Sequence, residues 1–233
     1  IPVHGLSLEH GKEILMSDQE YGSVIRMWEY IAREKGLEIR TVSLPTPPEN
    51  PDQVVGAFAQ GISSRTQIMV FSHVYCSSGL VTPVKALCRL AHDYGALAIV
   101  DGAHAVGMVP VDITDFECDF YTSSCHKWLL APKGVGMAYI PESLESMRPA
   151  TLGFGLNQHG GAARFDVSGT RDSTHFAGLG TAIDFQEGIG WTEKIRPYCL
   201  GLAAYLKSQV LEKISTANLT IHGIATTPNG RPA

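Results

Sequence analysis

The chain has 233 residues, with 18 Lys and Arg against 23 Asp and Glu for a formal net charge of −5, and it is 44% hydrophobic and 18% charged. At ~150 residues per domain this is one large domain, or one with a fragment of a second, and it holds enough apolar material for a sizeable core. No apolar run approaches the ~18 residues of a membrane span, and an acidic balance without a basic block speaks against nucleic acid as the main partner. The five cysteines (Cys76, Cys88, Cys118, Cys125, Cys199) are odd in number and lack CxxC spacing. A reduced cytoplasmic interior fits them better than a disulfide scaffold or a zinc module. The chain opens at Ile1 without the charged and apolar regions of a signal peptide, and Thr226 to Ala233 reads as a loop. The expectation is a piece of a longer protein.

In chain order, Glu13 to Ser17 is a short apolar, strand-like run. Tyr21, Val24, Ile25, Trp28, Ile31 and Ala32 recur at helical spacing, and Gly36 ends that stripe as a C-cap. Leu37 to Leu44 alternates like a strand until Pro45, Pro47 and Pro48 break it. A helix over Pro51 to Ile62 starts on proline, a residue suited to the first turn. Gln67 to Val74 predicts a strand, Pro83 to Tyr94 a helix stopped at Gly95, and Ala96 to Val100 a strand ending in Asp101. Short strands are predicted near Asp119 to Thr122 and at Val135 to Ile140, and long helices over Ser173 to Gly188 and Trp191 to Ile214. Strands alternating with helices make an α/β fold with a mainly parallel sheet. The link from Thr122 to Val135 is too short for a crossover of about a dozen residues plus its turns, so the strand at Val135 is expected to run antiparallel. A Gly-rich polar loop is expected from Pro149 to Asp172.

In an open α/β sheet, ligands sit beyond the carboxyl ends of the parallel strands. Four strand ends supply chemistry: Asp18, Gln19, Glu20 and Tyr21; Tyr75, Cys76, Ser77 and Ser78; Asp101 and His104; and Ser124, Cys125, His126 and Lys127. Burial at a strand end disfavours the charged form of an amine and exposes a nucleophilic lone pair, which makes Lys127 a candidate nucleophile. The ordinary alternative is a surface lysine whose stem packs on Trp128. Asp101 is either a helix cap or a carboxylate facing a cationic ring nitrogen. His104 is either a core or capping histidine or a site residue. Tyr21 is read on the apolar face of its helix, with a first-turn position that also permits stacking on a ligand. Ser124 and His126 either satisfy backbone groups in a turn or bind a ligand. Gly153-Phe154-Gly155 and Ala131 to Gly136 fail as nucleotide loops, and neither HExxH nor GxSxG occurs. His73, Asp101 and His104 form a weak candidate metal set, which leaves a metal-dependent hydrolase and a non-catalytic α/β binding module as rival classes.

Val100-Asp101-Gly102-Ala103-His104-Ala105-Val106-Gly107, Thr122-Ser123-Ser124-Cys125-His126-Lys127-Trp128 and Pro132-Lys133-Gly134-Val135-Gly136 together resemble the class V aminotransferases, fold-type I enzymes that use pyridoxal 5'-phosphate. Ser17-Asp18-Gln19-Glu20-Tyr21-Gly22, Ser72 to Leu80 and Phe165 to Asp172 resemble the isopenicillin N epimerase-like branch. The resemblance runs from about Leu8 to Ile214. It implies a three-layer α/β/α large domain, mostly parallel with one antiparallel strand, over 1–214, and over 215–233 the start of a connection to a small domain.

By the same resemblance Lys127 forms a Schiff base with the cofactor and moves the substrate α-proton. Asp101 pairs with the pyridinium nitrogen, and Tyr21 stacks on the ring. His104 lies near the phenolic oxygen, Ser124 and His126 hold the phosphate, and Cys76 flanks the site. Gly169 and Thr170 reach the partner subunit's phosphate, so a homodimer acting on an amino acid or amine is implied. Epimerase or aminotransferase-like chemistry ranks first, with carbon–sulfur lyase or cysteine desulfurase activity second. Tyr75 and Cys76 replace the Asn pair of typical desulfurases, and Cys76 does not match the persulfide-bearing position. The family's first strand with its phosphate-binding turn, and its carboxyl-terminal small domain, are expected outside these residues. The antiparallel strand is then expected to lie at a sheet edge.

Overall fold

The computed structural model describes residues 5–144, 147, 149, 161–165 and 169–213. Its elements alternate from the start: β1 (Glu13–Ser17), α1 (Gly22–Lys35), β2 (Glu38–Val42), α2 (Pro51–Gly61), β3 (Thr66–Ser72), α3 (Val84–Asp93), β4 (Leu97–Asp101), the short α4 (Ile113–Phe116), β5 (Phe120–Ser123) and β6 (Met137–Tyr139). The long α5 (Thr174–Gly188) follows, then a π-helical turn at Trp191–Ile195 that runs into α6 (Arg196–Lys213).

The strands form one six-stranded sheet in the order β2-β1-β3-β4-β5-β6. All neighbours are parallel except β5 and β6, which pair antiparallel with Tyr121 opposite Tyr139. The short link after β5 has this consequence, because without a crossover helix the chain can only turn back. β6 lies at one edge of the described sheet, as the sequence led one to expect, and spans fewer residues than the predicted Val135 to Ile140.

Successive strand residues point to opposite faces, and both faces are buried. Leu15, Met69, Phe71, Ala98 and Val100 face α2 and α3, meeting Val54, Phe58, Leu87 and Ala91. Ile14, Met16, Ile68, Val70 and Ile99 face the other way onto Trp28, Ile31 and Ala32 of α1. This is the expected three-layer arrangement. Phe58 meets Phe71 edge-on with ring centroids 6.0 Å apart, a geometry favoured by the ring quadrupoles.

Local signals account for the helix ends. The Asn50 side chain accepts from the Gln53 backbone N–H at 3.1 Å and Pro51 opens α2, relieving one of the unpaired first-turn donors. Gly36 closes α1 in the left-handed conformation, at φ 67°, with its N–H bonded to the Ala32 carbonyl. Among the described residues no helix is long and apolar enough to cross a membrane. The expected boundary at Ile214, the 215–233 connection and most of the Pro149 to Asp172 loop lie outside the described residues.

The strand register brings the chemistry together. Ser72, the last residue of β3, is opposite Asp101, the last of β4, which is in turn opposite Thr122 of β5. Asp101 is therefore part of its strand, where the sequence placed it just beyond.

Candidate active site

Tyr21, Ser72, Val74, Cys76, Asp101, Ala103, His104 and Lys127 line one pocket at the carboxyl ends of the parallel strands. Five of the residues singled out from sequence, Tyr21, Cys76, Asp101, His104 and Lys127, are thus brought together by four separate chain segments. A roomier concavity of about 740 Å³ lies between β2 and α2, with Arg40 its one charged group. It has no acid and no amine or thiol beside the hydroxyls of Thr41 and Ser43, so volume alone does not locate the chemistry.

Lys127 stands in the turn that leaves β5. Its backbone N–H bonds to the Ser124 carbonyl at 3.1 Å, and Ala131 N–H closes the turn on the Cys125 carbonyl at 3.0 Å. The turn presses against Gly107, where a Cβ would stand 2.6 Å from the Leu129 backbone nitrogen and where φ is +84°. Glycine alone allows that approach. The half-buried Nζ of Lys127 reaches to 3.0 Å from His104 Nε2, and the Trp128 indole N–H donates to His104 Nδ1 at 3.2 Å.

Asp101 accepts the Ala103 backbone N–H at 2.9 Å. Burial pushes its carboxyl above the usual range, while the Ala103 amide, Lys127 and His104 pull it down. Among the described residues it makes no ion pair within 4.0 Å. Burial pushes the His104 pKa down, Lys127 adds to that, and Asp101 opposes it. The imidazole is therefore neutral near pH 7.

Tyr21 corrects one expectation. It is not on the buried stripe of α1 but is the extended residue before the helix, 56% exposed. Its carbonyl accepts the N–H groups of Val24 and Ile25, which fixes the backbone while the ring is left free on the pocket wall. Ser124 and His126 stand in the Lys127 turn, outside the pocket lining, and His126 Nδ1 lies 3.2 Å from the Val135 carbonyl oxygen. Gly169 and Thr170 are exposed just before α5, while Asp166 to Ser168 lie outside the described residues. Of the candidate metal set, His73 faces away. Its Nδ1 is 3.0 Å from the Tyr121 hydroxyl, and burial holds its pKa down at about 4. Among the described residues no three His, Cys, Asp or Glu side chains form a group fit to hold a metal ion.

Sequence reasoning named Glu20 among the strand-end residues but assigned it no role. Glu20, 5% exposed, accepts three hydroxyl hydrogen bonds: from Ser17 at 2.9 Å, from Ser72 at 2.6 Å and from Tyr75 at 3.0 Å. Burial raises its pKa to about 7 against the pull of those hydroxyls, and the charge of Asp101 adds to the rise. The only signal in the sequence was an acid between a buried strand and an aromatic, with hydroxyl residues ending two strands. That pattern does not separate a buried carboxyl from an exposed one. Ser72 and Trp128 also escaped notice as site residues, since each is an ordinary residue made significant by a distant partner.

The family model described as aminotransferase class-V matches residues 2–225. The chain is 38% identical over 240 residues to an isopenicillin N epimerase of Amycolatopsis lactamdurans, covering 94% of this chain and 60% of that protein. It is 31% identical over 226 residues to a cysteine desulfurase of Escherichia coli (strain K12 / DH10B), covering 91% of this chain and 53% of the relative. The chain thus spans between half and three-fifths of the curated relatives it matches. Among solved structures it is similar to a C-DES mutant with glycine covalently linked to the PLP cofactor, at a TM-score of 0.81 and 24% identity, covering 96% of this chain and 62% of that one. An apo cysteine desulfurase from Thermococcus onnurineus NA1 gives a TM-score of 0.76 at 23% identity over 95% of this chain and 58% of its own. At such identities the structural likeness carries the fold, a mostly parallel sheet with one antiparallel pair. The sequence match, spread over nearly every element that builds the pocket, carries the kinship: this chain belongs to the aminotransferase class-V family.

Proposed function

We propose that this chain is the cofactor-binding part of a pyridoxal-phosphate enzyme acting at Cα of an amino acid or related amine. The observation that carries the reading is the placement of the Lys127 amine and the Asp101 carboxyl in one pocket, the carboxyl partly buried and, among the described residues, in no ion pair. A protonated ring nitrogen would return the charge that burial takes from Asp101, and an aldehyde would give the amine its partner. The residues present therefore fit the group. When bound, pyridoxal phosphate supplies an electron-withdrawing ring that accepts negative charge developing at the substrate Cα.

The chain's own residues then divide the work. Lys127 Nζ would hold the cofactor through its aldehyde and would carry the proton taken from the substrate Cα. Asp101 keeps the proton on the ring nitrogen. Tyr21 is the exposed aromatic for stacking, and His104 serves the phenolic oxygen. Ser124 and His126 hold the phosphate, and Cys76 flanks the entrance. Gly169 and Thr170 complete the site of a second subunit, which makes a cytoplasmic homodimer part of the proposal, as is the division into a large domain over 1–214 and a connection over 215–233.

Epimerisation or amino transfer is the first reaction class, supported by the higher identity to the epimerases. Carbon–sulfur chemistry stands second on the desulfurase relatives. The test uses the intact protein loaded with pyridoxal phosphate, reduced with borohydride and digested. The phosphopyridoxyl group is expected on the peptide containing Lys127. A label on any other lysine overturns the assignment.

A further inference from the structure

Among the described residues the Tyr21 side chain takes part in no hydrogen bond, yet it stands on the wall of the pocket that contains Asp101 and Lys127. An exposed ring joined to the fold through its backbone alone is placed by whatever holds that backbone. On one side the Tyr21 carbonyl accepts from Val24 and Ile25 at 2.8 and 3.0 Å and begins α1. On the other side stands Glu20, 5% exposed, whose carboxyl gathers three hydroxyls. Ser17 lies three residues back at the end of β1, and Ser72 and Tyr75 come from 52 and 55 residues further along the chain. Ser72 ends β3, lines the pocket and is opposite Asp101 in the sheet. A tie therefore runs from the strand of Asp101 through Ser72 to Glu20, and the next residue is Tyr21. Gln19 also accepts from Ser78 at 2.8 Å, but that partly buried contact reaches the loop beyond Cys76 and not the pocket floor.

We propose that Glu20 is a positioning residue whose carboxyl seats the Tyr21 ring at the pocket wall by tying the turn between β1 and α1 to the end of β3. The consequence for cofactor binding rests on the function proposed above; the seating does not. A buried carboxyl is costly to leave unpaired, so three hydroxyls from three places fix the path of the chain at Glu20. The tie holds in either charge state. An ionised carboxyl accepts from all three hydroxyls, and a protonated one donates to one hydroxyl oxygen and accepts from the other two. Glu20 acts through Tyr21 and needs no contact with the cofactor.

The test compares Glu20→Ala, which removes the acceptor of all three hydroxyls, with Glu20→Gln, which keeps the shape and a hydrogen bond to each. In the cofactor-free intact protein, with tyrosine rings labelled by ¹³C and the Tyr21 signals assigned by their loss in Tyr21→Phe, Glu20→Ala is expected to move those signals towards their unfolded-chain positions. Glu20→Gln is expected to leave them in place. In titrations with pyridoxal phosphate, Glu20→Ala should raise the dissociation constant about two- to tenfold, the weight of one stacked ring, and Glu20→Gln should stay within about twofold of wild type. In a Tyr21→Ala background, Glu20→Ala should add less than about twofold, because the ring it seats is gone. Tyr21 signals that stay in place in folded Glu20→Ala, or an equal rise of the dissociation constant in both backgrounds, overturns the proposal. Should Glu20→Ala fail to fold, Tyr75→Phe takes one hydroxyl from the same carboxyl and keeps the ring in the core. It is expected to move the Tyr21 signals in the same direction by less, and unmoved signals there overturn the proposal equally. Failure of the wild-type protein to bind pyridoxal phosphate would instead remove the proposed function, and the ring signals would still decide the seating.

Discussion

Glu20→Gln tests whether the three-hydroxyl network beneath the pocket holds a titrating carboxyl. Folded Glu20 has a pKa of about 7 against 4.5 for an ordinary glutamate. Between those values the folded chain keeps a proton that the unfolded chain has released, so rising pH weakens the fold. That loss amounts to about 2.5 kcal/mol from roughly pH 5 to pH 8. His73 works in the opposite direction, with a folded pKa of about 4 against 6.5. As pH falls, the unfolded chain takes up a proton that the buried imidazole refuses, which weakens the fold by about 2 kcal/mol over the same interval. The two slopes nearly cancel in wild type. Glutamine keeps the shape: its carbonyl oxygen accepts from Ser17 and Tyr75, and its amide donates to the Ser72 hydroxyl. It removes only the titration. Glu20→Gln is therefore expected to expose the His73 slope and to be about 2 kcal/mol less stable near pH 5 than near pH 8. The stability difference between wild type and variant should change by about 2.5 kcal/mol across that range. Urea unfolding of the cofactor-free intact protein, followed by tryptophan fluorescence at fixed ionic strength, measures both curves. Parallel pH profiles would refute the reasoning, because Glu20 would then titrate as an exposed glutamate does.

Asp101→Asn preserves shape and removes the charge opposite the ring nitrogen. With a hydrogen bond to a charged group contributing ~1.5–3 kcal/mol, turnover at saturating cofactor should fall roughly 10- to 150-fold, and wild-type turnover would count against the pairing. Tyr21→Ala removes an aromatic whose stacking is worth ~0.5–1.5 kcal/mol, so cofactor dissociation measured by fluorescence titration should rise about two- to tenfold; an unchanged constant would place the ring elsewhere. Gly107→Ala forces a side chain against the Lys127 turn at positive φ. It should cost ~2–5 kcal/mol in unfolding free energy and slow borohydride-trapped labelling at Lys127, and a silent substitution would show that the turn does not depend on that approach.

Much of the site could be read along the chain, since a parallel sheet fixes where its strands end and a strand end is local information. Alternation of strands and helices gave the layers, and the short link after β5 gave the one antiparallel pair. Asp101 and Lys127 stood out because charged groups that terminate apolar runs need a reason to be there. Tyr21 was misread because the helical spacing of apolar residues runs one residue past the start of the helix at Gly22. Periodicity carries no mark for a residue whose carbonyl starts the helix while its side chain lies outside it.

What the sequence settled by itself was the order of elements, the faces they bury and the strand ends that meet, because each follows from the local period of apolar residues and from link lengths. What only the tertiary structure decided was which polar groups find one another across those ends. Glu20 gathers hydroxyls from Ser17, Ser72 and Tyr75, and His104 stands between Lys127 and Trp128. Desolvation and hydrogen-bond direction depend on atoms brought together from distant parts of the chain, and no spacing along it records them.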